Sequence, residues 1–258
     1  MLDDARLRVP PHAVERAGRR LSLTTLRLVD TPPVEQPLLS RDGSVHVTDE
    51  RINTVSHLAA SCFALVGSAL LISQAAAQGD VWKVVGFSVY AFSVLMLFVS
   101  STLHHGIDRG ARVNEVLRTL DYDSVFLLIA GSVTPLVLVL FRNTYGWTVL
   151  GAVWLITAIG IALRSTLRSL PKYVTNTLYI TLGWMPVLLA GAGTSLPFGA
   201  YALMAAGGLV YSVGFVLFVV EKPNPVPGVL GFHEIWHVLV VLAALLHYLL
   251  MYLYVLPA

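Results

Sequence analysis

Seven apolar stretches, each as long as a transmembrane helix, constrain this chain more than any other feature of its sequence. About 20 apolar residues in a helix cross the hydrocarbon layer, and backbone groups in lipid must satisfy their own hydrogen bonds. Continuous apolar runs exclude barrel strands, which alternate polar and apolar residues. We therefore predict an all-α integral membrane protein, a bundle of seven transmembrane helices. The predicted spans are 54–76, 81–104, 124–141, 147–167, 173–194, 198–220 and 233–255.

The composition excludes two other classes of protein. Of the 258 residues, 56% are hydrophobic and only 12% are charged, whereas a typical soluble domain is about 25% charged. The chain is therefore not a soluble globular enzyme. Its formal net charge of +2 provides no basic surface for nucleic acid. The single cysteine, Cys62, can form no intrachain disulfide.

The distribution of Lys and Arg predicts the direction of insertion. Of these 17 residues, 15 fall on one side of the predicted spans, and only Lys83 and Arg142 fall on the other. Positive loops stay in the cytoplasm, so we expect a cytoplasmic N-terminus and an external C-terminus in the cell (inner) membrane. Pro135 and Pro186 fall within the third and fifth spans and should kink those helices.

The first 49 residues differ in kind from the rest. They are rich in Arg and Pro and contain no apolar segment followed by a cleavage site. We predict a flexible cytoplasmic tail at 1–49 and a seven-helix transmembrane domain at 50–258.

Polar and ionisable side chains gather at the ends of four predicted spans. Such groups are costly inside a membrane and indicate a functional site. Following the chain through the seven spans places all of them at the cytoplasmic depth. They are Glu50, Asn53, Ser56, His57, Ser101, His104, His105, Asp121, Asp123, Ser124, His233, Glu234 and His237.

The spacing of three of these histidines indicates a metal site. His233 and His237 are four residues apart, so their imidazoles lie on one face of the seventh helix. Ser101 and His105 have the same spacing on the second helix. Three histidines with a nearby carboxylate fit a Zn²⁺ ion that keeps an open position for water. Asp121 would be the outer acceptor or the general base on that water.

The remaining histidines and polar residues are not expected to bind the metal. His104 points about 100° away from His105 around the helix and should face the headgroups. His12, His46 and His247 are interpreted as non-ligands. The residues expected to surround the metal or to close the bundle are Glu50, Asn53, His57, Asp123 and Glu234.

Residues 233–237 spell HEIWH, which is the H-E-x-x-H pattern of zinc proteases. An intramembrane metalloprotease with Glu234 as general base is therefore a minor alternative. The pattern lies too close to the C-terminus for a third ligand on a later helix, so that ligand must come from upstream. His105 is the best candidate, and Glu234 would then face headgroups or Arg side chains.

These segments resemble the hemolysin III family, the bacterial branch of the progestin and adipoQ receptor superfamily. The resemblance covers residues 49–257. It rests on ERINTVSH at 50–57, STLHH at 101–105, LD at 120–121, LLIAGSVTP at 127–135, and HEIWH at 233–237 followed by VLVVL. His104 differs from the family pattern, because many bacterial relatives carry an aromatic residue at that position.

The resemblance implies a seven-helix bundle with zinc held by His105, His233 and His237 near the cytoplasmic leaflet. Ser101 and Asp121 match the family's serine and aspartate, which lie around the metal and its water. The superfamily is similar in site chemistry to alkaline ceramidases.

Two functions remain open from the sequence. One is a zinc-dependent hydrolase of lipid amides or esters, with Asp121 and Ser101 as catalytic residues and an acyl chain beside Gly131, Ser132, Gly183, Gly191 and Gly193. The other is a sensor, receptor or hemolysin- or channel-like protein with structural zinc. The expected partners are membrane lipids, including an acyl-lipid substrate, and protein partners are left open.

Overall fold

The computed structural model describes residues 49–167 and 170–258. Within these residues, seven helices are long and apolar enough to cross a membrane, which confirms the predicted all-α bundle. The predicted tail lies outside the described residues except for Asp49, and the direction of insertion stays a prediction. The helices are α1 Glu50–Gln78, α2 Val81–Gly106, α3 Ala111–Pro135, α4 Thr144–Thr166, α5 Lys172–Trp184, α6 Phe198–Val220 and α7 Phe232–Leu250.

Side-chain caps set the beginning of three helices. The carboxylate of Asp49 accepts hydrogen bonds from the backbone of Arg51 and Ile52 at the start of α1. Asp80 and Asn143 cap α2 and α4 in the same way. The first backbone N–H groups of a helix have no partner within it. These caps therefore fix where α1, α2 and α4 begin.

Helix α3 begins at Ala111, about three and a half turns before the predicted start of the third span at residue 124. The predicted span begins later because charged residues interrupt the apolar run before residue 124. Arg and Glu are nevertheless good helix formers, so the helix extends through Arg112, Glu115 and Arg118. This extension places Asp121 on a regular helix.

Helix geometry changes next to both prolines that were predicted to kink a span, Pro135 and Pro186. After Pro135, α3 continues as a π-helical turn at Leu136–Leu140. Helix α5 continues as a 3₁₀ segment at Met185–Ala192 that contains Pro186. Proline lacks the N–H that an α-helix needs and crowds the preceding turn, so regular α-helical geometry ends close to each proline.

Helices α2 and α3 form the centre of the bundle. A Cβ atom on Gly86 of α2 would come within 2.9 Å of the Cα atom of Pro135, so the two backbones approach closely there. Phe87 and Phe126 are completely buried in the core that surrounds this contact. Helices α5 and α6 lie at the periphery and expose apolar side chains such as Phe198 and Leu209, as lipid-facing helices do.

Candidate metal centre

Helices α1, α2, α3 and α7 bring their polar residues together at one end of the bundle. Glu50 on α1 lies 2.5 Å from His105 on α2. The side-chain amide of Asn53 donates a hydrogen bond of 3.2 Å to Glu234 on α7. Asp121 of α3 is close to His105. The four helices that the sequence placed at one depth therefore meet there.

Three histidines from two helices form the centre of this region. One ligand nitrogen each from His105, His233 and His237 lies within 4.8 Å of the other two. The ring centroids are 4.7 Å apart for His105 and His237, 4.9 Å for His233 and His237, and 5.1 Å for His105 and His233. All three rings are buried. We refer to His105, His233 and His237 as the three-histidine cluster.

The donor set of this cluster fits a metal ion. Imidazole is a good ligand for zinc and for several other transition metals. Nitrogens bound to one tetrahedral zinc ion lie about 3.3 Å apart, so adjustments of about 1.5 Å or less would bring these three together. The carboxylate of Glu50 contacts Nδ1 of His105 at 2.5 Å. A carboxylate on the outer nitrogen of a ligand histidine orients the ring and is common in metal sites.

Asp121 and Ser101 lie beside the cluster. A carboxylate oxygen of Asp121 is within 4.8 Å of one nitrogen of His104 and one of His105. Ser101 and Asp121 line the same cavity. A proton acceptor and a hydroxyl group thus lie next to three metal-binding imidazoles.

The structure places His104 differently from the sequence prediction. Its side chain is only 3% exposed, and its ring lies 4.7 Å from that of His105, so it does not face the headgroups. The packing of α3 against α2 brings Asp121 close to both His104 and His105. His104 therefore lies within the polar region.

The prediction that Glu234 faces headgroups or Arg side chains is also wrong. This residue is 1% exposed. One carboxylate oxygen accepts hydrogen bonds from the backbone of Asp49 and the amide of Asn53. The other accepts one from the backbone of Gly231. Glu234 therefore joins the N-terminal ends of α1 and α7, which is one of the two roles expected for it.

The other predicted residues are distributed as follows. His57 stacks on His237, with ring centroids 3.9 Å apart, and therefore packs against the cluster. The carboxylate of Asp123 accepts hydrogen bonds from Arg164 at 3.1 Å and Ser165 at 3.3 Å. It ties α3 to α4 outside the cluster. His12 and His46 lie outside the described residues.

Most of this chain matches the model of a known protein family. The family model described as Haemolysin-III related matches residues 45–248. The chain belongs to this family. That match confirms the resemblance carried by the histidine and aspartate segments.

Curated relatives of this haemolysin III-related protein occur in bacteria and animals. It is 31% identical to Hemolysin-3 of Bacillus cereus, over 82% of this chain and 94% of that protein. It is 29% identical to the Hemolysin-3 homolog of Bacillus subtilis (strain 168), over 74% and 87% of the two chains. The Monocyte to macrophage differentiation factor of Homo sapiens is 27% identical over 72% and 75%, which supports the wider progestin and adipoQ receptor superfamily. Together with the seven helices, these matches identify a multi-pass cell-membrane protein.

A large cavity in this haemolysin III-related protein opens onto the candidate metal site. Its volume is about 670 Å³, and Asp121, His233 and His237 lie in its wall. The cavity extends among α3, α5, α6 and α7, past Leu128, to His247 on α7. His247 is ten residues beyond His237, or about 15 Å along the helix.

Sequence reasoning missed most of this cavity. Ser132 and Gly183, which were expected to leave space for an acyl chain, do line it. Gly131 instead packs against α2, where an added Cβ would clash with the side chain of Ser93. Tyr211, Phe215 and Trp236 line the cavity without having been predicted, and no motif in the sequence indicates them.

Proposed function

We propose that this protein is a zinc-dependent hydrolase of lipid amides or esters, acting in the cytoplasmic leaflet. The observation that carries the proposal is a single cavity with two kinds of wall. One part of the wall has the imidazoles of His233 and His237 and the carboxylate of Asp121, together with charged side chains such as Arg118 and Arg164. Another part has apolar side chains, among them Leu128, Ile129 and Val240. An amphiphilic substrate, with a polar group to cleave and an apolar chain to bury, matches such a cavity.

His105, His233 and His237 would hold the metal ion. Three imidazoles with an open fourth position form a typical catalytic zinc ligand set. When bound, zinc polarises an acyl carbonyl and makes a water molecule easier to deprotonate. Glu50 would keep His105 oriented, because its carboxylate is held at Nδ1.

Asp121 would accept the proton of the attacking water at its carboxylate and later donate it to the leaving group. Its closeness to His105 and its position with Ser101 in one cavity wall support this role. Ser101 would orient Asp121 and donate a hydrogen bond to the developing oxyanion. Both residues lie in the cavity wall, where a substrate can reach them.

The acyl chain would occupy the part of the cavity beyond the metal site. Leu128, Ile129 and Val240 provide apolar surface there, and burial of apolar surface would hold the chain. Helices α5 and α6, which supply part of the opposite wall, contact one another little. A substrate already dissolved in the bilayer therefore needs no exposure to water before it binds.

A second candidate function is a receptor or sensor in which the metal is structural. The observation that favours it is that the three-histidine cluster joins α2 to α7, so a bound ion would strengthen the bundle. The protease alternative has less support, because three donors already occupy the carboxylate of Glu234.

The decisive experiment measures fatty acid released by purified protein from N-acyl lipids and phospholipids in mixed micelles, using mass spectrometry. Zinc-loaded wild type should release fatty acid, and Asp121→Asn should reduce the rate by about 100-fold or more with its zinc content unchanged. Asp108→Asn makes the same chemical change in an exposed loop and should retain the wild-type rate. Absence of release from every acyl lipid would exclude the hydrolase, and full activity in Asp121→Asn would exclude Asp121 as the proton acceptor.

A further inference from the structure

His104 is a buried histidine of the polar region that the proposed hydrolysis does not use. Its ring lies 4.7 Å from that of His105. One nitrogen each of His104 and His105 and one carboxylate oxygen of Asp121 all lie within 4.8 Å of one another. The three-histidine cluster meets the same distance limit. The structure therefore contains two compact donor sets that share His105.

We propose that His104, His105 and Asp121 form a second position for a divalent cation, overlapping the first. The two positions cannot be filled together. Nδ1 of His105 contacts the carboxylate of Glu50 at 2.5 Å, so this ring can bind an ion only through Nε2. His105 can therefore coordinate only one ion at a time. That ion is bound either together with His233 and His237 or together with His104 and Asp121.

The two positions differ in the metals that they favour. Three imidazoles suit zinc. Two histidines and one carboxylate are the donor set of non-haem Fe²⁺ sites, and carboxylate ligands also suit Mn²⁺. Mn²⁺ or Fe²⁺ should therefore bind at the second position rather than at the three-histidine cluster.

Occupation of the second position has a consequence that rests on the proposed function. A carboxylate that binds a cation is no longer available to accept a proton. An ion held by His104 and Asp121 would therefore inhibit hydrolysis without leaving the site. The choice of metal would set whether the protein is active.

The test is a pair of metal titrations on purified, metal-stripped full-length protein. Mn²⁺ binding is followed by electron paramagnetic resonance of the free ion, and Zn²⁺ binding by calorimetry. Wild type should bind one Mn²⁺ and release it when one equivalent of Zn²⁺ is added. His104→Phe should weaken Mn²⁺ binding by at least about 10-fold and leave Zn²⁺ binding unchanged, whereas His237→Ala should do the reverse.

Two further measurements guard against changes in folding. Asp123→Asn, on the same helix as Asp121 but paired with Arg164, should keep the Mn²⁺ affinity of wild type. Electron spin echo measurements on wild type with one bound Mn²⁺ should detect two histidine nitrogens. Three histidine nitrogens, unchanged Mn²⁺ affinity in His104→Phe, or simultaneous binding of Mn²⁺ and Zn²⁺ would each overturn the proposal. These titrations do not depend on hydrolysis, so they decide the question even if no lipid is cleaved.

Discussion

The carboxylate of Glu50, in the first turn of α1, lies 2.5 Å from Nδ1 of His105, in the last turn of α2. Because Nδ1 faces the carboxylate, Nε2 is the nitrogen of His105 that remains to bind a metal ion. It also connects the first helix to the candidate metal site, although α1 contributes no residue to the three-histidine cluster. The predicted role of Glu50 near the metal or in closing the bundle thus has a specific atomic basis.

Replacing Glu50 tests this connection. Glu50→Gln keeps the size of the side chain but removes the charge that orients His105 and makes it a better ligand. We expect zinc affinity to fall by about 10- to 100-fold, measured by competition with a chelator of known affinity. Glu115→Gln, on an exposed part of α3, is the matched control and should bind zinc as wild type does. Equal affinities in the two variants would show that the Glu50 contact does not support the metal.

Removing a ligand from α7 should abolish metal binding. We expect His237→Ala to lose stoichiometric zinc, measured by mass spectrometry of the metal content of purified protein. His247→Ala removes an imidazole from the same helix, about 15 Å away, and should retain zinc. If His237→Ala kept one zinc ion per chain, His237 would not be a ligand in the three-histidine cluster.

Glu234 should matter for stability more than for chemistry. In Glu234→Gln, one of the two accepting oxygens becomes an NH2 group. That group cannot accept from the N–H groups of Asp49, Asn53 or Gly231 that face it in this buried setting. We expect the free energy of unfolding to fall by about 1–3 kcal/mol, measured by thermal or denaturant unfolding in detergent. Activity per folded molecule should persist. Complete loss of activity with unchanged stability would instead favour the protease.

The sequence was sufficient to predict the seven spans and the convergence of four helix ends. Apolar length defines a span, and the alternating direction of successive spans then places Glu50, His105, Asp121 and His233 at one depth. The spacing of His233 and His237 adds that both rings share a helix face. None of these inferences requires knowledge of how the helices pack.

The errors concern properties that depend on packing. Position around the helix predicted different surroundings for His104 and His105, but it could not show that the packing of α3 against α2 brings Asp121 close to both. Glu234 was expected at the headgroups because its donors lie far away in sequence, at Asp49 and Asn53. The cavity was missed for the same reason, since it arises from the arrangement of separate helices and leaves no pattern within any one of them.

Filling the cavity should separate substrate binding from metal binding. Ser132 lines the cavity, and its hydroxyl is hydrogen-bonded to the backbone of Leu128. We expect Ser132→Phe to slow release of long acyl chains more than short ones, because the new ring occupies the space of the chain, while the zinc content stays at one ion. Ser73→Phe is the control, since Ser73 is exposed on α1 and its hydroxyl is also hydrogen-bonded to its own helix. Parallel measurements of fatty acid release over a series of chain lengths would test this, and equal slowing of all lengths would place the acyl chain elsewhere.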